Sequence, residues 1–432
     1  MMAMRKLVFG HWLMVAALAC GLSAAAIAVP PHKITPAAQK KDAPKKEAPK
    51  KDEPNISAPH AILIDGQYGG VLFDRDADRL IFPASLAKLM TAEYVFHEIK
   101  EGRIKLTDEY MVSENAWRKG GAPSHGSTMF AALNSKVSVD DLLHGMIIQS
   151  ANDACIVLAE GIAGNEAEFG NKLTQRAREI GLEKSVFTNS NGLPDPNEKM
   201  TTRELAMLAR HIILTYPDFY QLFAQPDFTW NKIRQQNRNP LLGAMNGADG
   251  LKTGYTKEAG YGLVGSAVQN DLRLIVVVTG VNTAKERADE AKKALEWGFR
   301  NFEHRTIFAE GQTIGTAKVF GGSSGRVALK ADGEVKVMLP KSGAERLVAR
   351  IVYTGPVPAP VTEGTPIGNL KVWRNDNLIL TMPLKAAENI GKGNMPQRAF
   401  DAVTEMIIAL FRPEPSGYDG RPHRERVVTG RG

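Results

Sequence analysis

Pro83-Ala84-Ser85-Leu86-Ala87-Lys88-Leu89-Met90 sets a hydroxyl and an amine three residues apart where an apolar run begins. If the run is helical, positions i and i+3 share a face and Lys88 lies alongside Ser85. A serine hydroxyl is a weak nucleophile until a neighbouring base takes its proton, and a desolvated neutral lysine can do so. The same spacing also fits a helix N-terminus whose serine only packs. The meaning of this pair therefore depends on partners supplied elsewhere in the chain.

Upstream, Ala61 to Asp65 reads as a buried strand, residues 66–70 carry turn signals, and Val71-Leu72-Phe73 makes a second strand of a hairpin. A sheet that feeds a serine into a helix N-terminus is a sound nucleophile platform, because the free N–H groups of the first turn point at developing negative charge. Downstream, residues 139–148 show helical apolar spacing and end at Gln149-Ser150-Ala151-Asn152-Asp153. There Ser150 offers a hydroxyl for proton relay and Asn152 an amide for a substrate carbonyl; the plain alternative is a capped helix-to-helix turn. Further on, Gly250 and Gly254 bracket a short strand in Asp249-Gly250-Leu251-Lys252-Thr253-Gly254-Tyr255-Thr256. Lys252 and Thr253 side by side would make a carboxylate receptor, with Gly254 permitting close backbone approach; the plain alternative is a common surface tripeptide.

In that order, Ser-x-x-Lys, Ser-x-Asn and Lys-Thr-Gly resemble the signature of the active-site serine penicillin-interacting enzymes. More narrowly, residues 59–390 look like the D-alanyl-D-alanine carboxypeptidases, on Ser150 to Cys155, Asp249 to Thr256, and Ala294-Leu295-Glu296-Trp297-Gly298-Phe299. The resemblance implies an α+β fold: a transpeptidase/β-lactamase-like domain, an antiparallel sheet with a helical cluster, followed by a small all-β domain. It implies an acyl-enzyme on Ser85, Lys88 as general base, Ser150 as proton relay and Asn152 holding the substrate amide. Lys88 would be kept neutral by burial and by positive charge from Lys252. Backbone N–H groups of Ser85 and Tyr255 would form the oxyanion hole, and Lys252, Thr253 and Gly254 would meet the terminal carboxylate. Arg287 matches a family arginine near that carboxylate, though it also reads as a solvated helix residue. Implied partners are peptidoglycan stem peptides, with β-lactams as covalent inhibitors. No metal or cofactor is implied, and His97, His125 and His144 show no ligand spacing. The Gly-rich stretch from Trp117 to Ser127 reads as a loop bordering the cleft.

Three other activities share these motifs. A β-lactamase would carry a Glu-x-x-Leu-Asn stretch, which is absent; a DD-endopeptidase or transpeptidase would use the same acyl-enzyme; a non-catalytic penicillin- or peptidoglycan-binding scaffold would have no use for Ser85, Lys88, Ser150 and Lys252 together.

The remainder of the chain reads as packaging. Its 432 residues suit two or three domains. Net charge is +7, but residues 1–30 hold +2, residues 31–54 hold +3 and residues 412–432 hold +2, leaving 55–411 neutral. A neutral body is not a nucleic-acid binder. Residues 1–28 read as a signal peptide: Arg5 and Lys6, an apolar stretch, then Ala26-Ile27-Ala28, with cleavage expected after Ala26 or Ala28. Its removal takes Cys20 and leaves Cys155 alone, so no intrachain disulfide is possible. Residues 29–57, rich in Lys, Pro and Ala, predict a disordered tether. The catalytic domain is expected over 58–304 and the all-β domain over 305–390, on alternating runs such as Thr316 to Phe320, Glu334 to Leu339 and Leu347 to Tyr353. Phe400, Val403, Met406, Ile407, Leu410 and Phe411 recur at helical spacing within 396–412, predicting an amphipathic helix that lies on a membrane surface or packs on the protein. A basic disordered tail, 413–432, completes a chain expected in the periplasm or cell envelope, on the outer face of the cytoplasmic membrane.

Overall fold

The computed structural model describes residues 53–342, 346–374 and 377–410. The segments expected to be a signal peptide, most of the tether and the basic tail lie outside the described residues.

A five-stranded antiparallel sheet organises the first part: β1 (His60–Asp65), β2 (Val71–Arg75), β3 (Ala248–Thr256), β4 (Gly260–Gln269) and β5 (Leu272–Val281), in the order β2-β1-β5-β4-β3. Both faces are apolar because consecutive strand residues are apolar and successive side chains point to opposite sides. Ile62, Ile64, Val264, Ile275 and Val277 join the core beneath the helical cluster. Ala61, Leu63, Leu263, Val276 and Val278 face the helix Ala284–Asn301 on the other side. Strand β3 is therefore an edge, free on the side that meets the nucleophile turn.

The helical cluster packs around the helix Lys88–Lys100, in which Leu89, Met90, Val95 and Phe96 are fully buried. The helix Asn152–Ala163 lies within the same core. The expected helix over 139–148 is shorter: Val139–His144 is α-helical, capped by the Ser138 hydroxyl, and Gly145–Gln149 forms one wider π turn. That turn ends with Ser150 at φ +62°, a left-handed conformation that costs a non-glycine residue on the order of 1–3 kcal/mol. Such one-turn bulges recur at functional sites.

The tether ends sooner than its composition suggests. Pro54 and Ile56 are buried, and the N–H groups of Ser57 and Ala58 donate to the Glu290 carboxylate. Buried Pro54 and Ile56 and the two bonds to Glu290 seat the last residues of that segment.

Phe302–Phe308 follows directly on the helix Ala284–Asn301 and pairs with Val335–Pro340. A six-stranded sheet then runs Leu347–Tyr353, Pro366–Arg374, Asn377–Ala386, Arg326–Lys330, Gly315–Phe320 and Val357–Pro358, the last pair parallel. Val327, Leu329, Leu370 and Val372 of this sheet share one core with Val335 and Val337 of the paired strand. Arg374 ties this part to the hairpin β1–β2 by donating to the Val71 carbonyl at 3.1 Å. The helix Met395–Leu410 follows, with the Asp401 carboxylate accepting from the Gly321 N–H at 2.8 Å. No helix among the described residues is long and apolar enough to cross a membrane.

Candidate active site

Ser85 sits in a single 3-10 turn, Ala84–Ala87, and Lys88 opens the α-helix behind it. The i, i+3 spacing still brings them together: Lys88 Nζ and Ser85 Oγ are 2.8 Å apart. Ala84, the residue before the nucleophile, has φ +48°. Its carbonyl is covered by Gly192, where a Cβ would come within 1.9 Å of that oxygen, so only glycine fits.

Lys88 is buried, and Nζ also donates to Asn152 Oδ1 at 2.9 Å and to the Asn191 carbonyl at 2.7 Å. Two fixed acceptors use two N–H bonds. In the neutral amine the remaining lone pair faces Ser85, whose hydroxyl then donates to it. Burial lowers the lysine to about 8, with the Arg238 guanidinium pressing the same way and Cys155, Glu198 and Asp153 opposing. At pH 7 about a tenth of Lys88 is then neutral, against about three in ten thousand at the ordinary value, roughly a three-hundredfold gain in base.

Ser150 and Asn152 reach the site from the strained turn and the first residue of the helix Asn152–Ala163. The Ser150 hydroxyl is buried and has no hydrogen-bond partner among the described residues. Asn152 turns its carbonyl oxygen to Lys88, and its N–H donates to the Ser127 carbonyl at 2.7 Å. Neighbouring Asp153, fully buried, accepts from the Thr128 hydroxyl (2.6 Å) and from the N–H groups of Met129 (3.0 Å) and Ala131 (3.1 Å). The Gly-rich loop is thereby anchored beside the cleft.

Strand β3 closes the other side. A Cβ on Gly254 would lie 3.1–3.2 Å from Leu86 and the Pro83 carbonyl, so the strand backbone rests directly on the nucleophile turn. Lys252 and Thr253 are buried, and Tyr255 is half exposed, stacked on Tyr261 at 4.1 Å. Burial holds Lys252 well below the usual lysine range, and Lys88, Arg238 and Arg287 add repulsion. The mutual repulsion of the two amines thus appears at Lys252, whereas the positive neighbour that presses on Lys88 is Arg238. Arg287 extends over the Tyr261 ring at 5.6 Å, and its Nε has no partner. Lys252, Arg238 and Arg287 have no carboxylate partner among the described residues, so a ligand carboxylate would relieve their repulsion.

Asn191 and Arg238 had no motif to announce them. Arg238 donates to Ser127 Oγ at 2.7 Å, and Asn191 offers a backbone carbonyl from 103 positions away.

A lysine-paired serine, a Ser-x-Asn turn and a Lys-Thr-Gly edge strand around one cleft define the class of active-site serine penicillin-interacting enzymes. Residues 46–283 match the model of the peptidase family described as D-alanyl-D-alanine carboxypeptidase, and residues 302–392 match the penicillin-binding protein 5 C-terminal domain. The chain belongs to the D-alanyl-D-alanine carboxypeptidase family. It is 39% identical to the D-alanyl-D-alanine carboxypeptidase DacC of Escherichia coli, over 81% of this chain and 88% of that one. Penicillin-binding protein 5 of Haemophilus influenzae superposes with a TM-score of 0.69 at 37% identity, covering 78% of this chain and 99% of the other. Penicillin-binding protein D2 of Listeria monocytogenes in its ampicillin-bound form matches with a TM-score of 0.51 at 30% identity, over 56% of this chain and 98% of its own.

Proposed function

We propose that Ser85 is the nucleophile through which this serine-type carboxypeptidase removes the terminal D-alanine of peptidoglycan stem pentapeptides. Ser85 Oγ attacks the carbonyl carbon of the penultimate D-Ala while neutral Lys88 takes the hydroxyl proton. Ser150 passes a proton to the leaving amine, the C–N bond breaks, and D-Ala departs from an ester on Ser85. Water then hydrolyses that ester. The Ser85 and Tyr255 N–H groups stabilise the oxyanion, a contribution of roughly 3 kcal/mol per donor. Lys252, Thr253 and Arg287 receive the terminal carboxylate, Gly254 lets the strand approach, and Asn152 holds the substrate amide. One observation carries the reading: Lys88 Nζ is held 2.8 Å from Ser85 Oγ by two carbonyl acceptors, with its basicity lowered by burial. The positive cluster at Lys252 supports the carboxylate assignment.

The same ester explains why β-lactams would act as covalent inhibitors. Their acyl group would stay on Ser85 after the ring opens; binding of such ligands is supported by the ampicillin-bound form of the Listeria relative. The domain layout, export through residues 1–28, and attachment of the helix Met395–Leu410 to the outer face of the cytoplasmic membrane belong to the proposal too. The test is incubation of the protein with a stem pentapeptide ending in D-Ala-D-Ala, and separately with labelled penicillin. D-Ala release and stable labelling, both lost in Ser85→Ala, are expected. Labelling without D-Ala release, or rapid penicillin turnover, would overturn the reading.

A further inference from the structure

Glu198 is a buried carboxyl beside the site that the chemistry above does not use. It is 2% exposed and stands in the segment that precedes the helix Thr202–Thr215. One carboxyl oxygen accepts from the Thr188 hydroxyl at 3.1 Å and from the Thr188 N–H at 3.4 Å. The other, Oε1, has no hydrogen-bond partner among the described residues, although the Asn189 N–H also favours the ionised carboxyl. The side chain lines a cavity of about 10 Å³, near the size of one water, that is walled by Ala84 of the nucleophile turn, Gly192 and Thr256.

The same segment holds Lys88. Asn189 Oδ1 accepts from the N–H groups of Asn191 (3.1 Å) and Gly192 (2.7 Å), fixing the turn that presents the Asn191 carbonyl to Lys88 Nζ. One residue earlier, the Ser190 carbonyl accepts from the Thr91 hydroxyl at 2.7 Å. Glu198 grips the start of this turn at Thr188, and Gly192 ends it against the Ala84 carbonyl.

We propose that Glu198 is a positioning residue for Lys88: through Thr188 it braces the 188–192 turn that presents the Asn191 carbonyl to Lys88 Nζ, and from the cavity walled by Ala84 it sets an ionisable charge beside the nucleophile pair. The inference rests on the reading that Lys88 is the base. The charges around the pair act as follows. Lys88 feels Glu198, Asp153 and Cys155 against Arg238, and repels Lys252. Asp195 faces Glu198 with like charge, Glu258 sits on the cavity wall, and Lys199 is engaged with the Pro196 carbonyl and the Phe82 ring. Burial raises Glu198 to about 7, so it loses its proton in the range where Lys88 becomes basic.

Glu198→Gln keeps the shape and the acceptor but cannot ionise. Its acid limb, in the pH profiles of penicillin acylation and D-Ala release, is expected to move down by roughly half a unit. At pH 7, where Glu198 is itself only about half ionised, this is about a 1.5-fold faster rate. Glu198→Ala, which removes the brace, is expected to slow acylation at every pH measured, with Gln restoring it. A Gln profile that superimposes on the parent, or a Gln variant as slow as the Ala variant, overturns the proposal. The base assignment fails separately: a Lys88→Ala protein that acylates normally would refute it, whereas an inactive Lys88→Ala protein beside an unshifted Gln profile refutes only the role of Glu198.

Discussion

The sheet-and-helix body and the β-rich part that follows it are both packed around apolar cores, yet they treat polarity oppositely. Among the described residues, every buried polar side chain except Arg374 lies before residue 302. The body buries Lys88, Lys252, Asp153, Glu198 and an unpartnered Ser150 around one cleft, and Ala84 and Ser150 are held at positive φ there. Each buried charge or orphan hydroxyl costs stability. Such groups persist where they serve chemistry, and pKa values displaced in both directions around one cleft are the mark of it. Among its described residues the β-rich part buries Val, Leu and Ile in alternation and displays no such cluster.

That contrast can be broken by substitution. The largest effect is expected at the nucleophile pair: Ser85→Ala and Lys88→Ala should each reduce D-Ala release and penicillin acylation by roughly 10⁴-fold or more, read by single-turnover kinetics. Ser150→Ala should come next, with D-Ala release slowed about 10²- to 10⁴-fold as the proton path to the leaving amine is lost. Leu329→Ala, in the second core, should leave activity per folded molecule unchanged while lowering stability by about 2–5 kcal/mol, measured by denaturant titration. A loss of turnover there beyond the unfolded fraction would mean that the β-rich part shapes the cleft. The smallest effect is expected at Arg238. Replacing it by Gln removes a cation that lowers Lys88, so the acid limb should move up by a few tenths of a unit.

Legibility in the sequence follows the same division. That Ser85, Lys88, Ser150, Asn152 and Lys252 come together was readable because each motif works at short spacing, where a helix turn or an edge strand fixes who faces whom. The β-rich strands were readable from alternation, to within a residue or two at Gly315–Phe320, Val335–Pro340 and Leu347–Tyr353. Asn191 was not, because its part is played by a backbone carbonyl that any residue would carry. Glu198 and Arg238 reach the cleft only through long-range packing, and their types are commonplace on surfaces. The π turn before Ser150 was also invisible, since the apolar spacing of 139–148 is the same whether the helix runs straight or widens by one residue.

The central claim is that Lys88, buried and stripped of part of its basicity, takes the proton from Ser85. Because burial depresses its pKa, the neutral amine gains population as pH rises through about 8 and is lost below it. The measurement is the second-order rate of penicillin acylation from pH 6 to 10, in the parent and in Lys88→Ala. The account predicts a tenfold rise per pH unit below about 8, levelling above it, and no acylation without the lysine. A flat profile, or normal acylation by the Lys88→Ala protein, would contradict it.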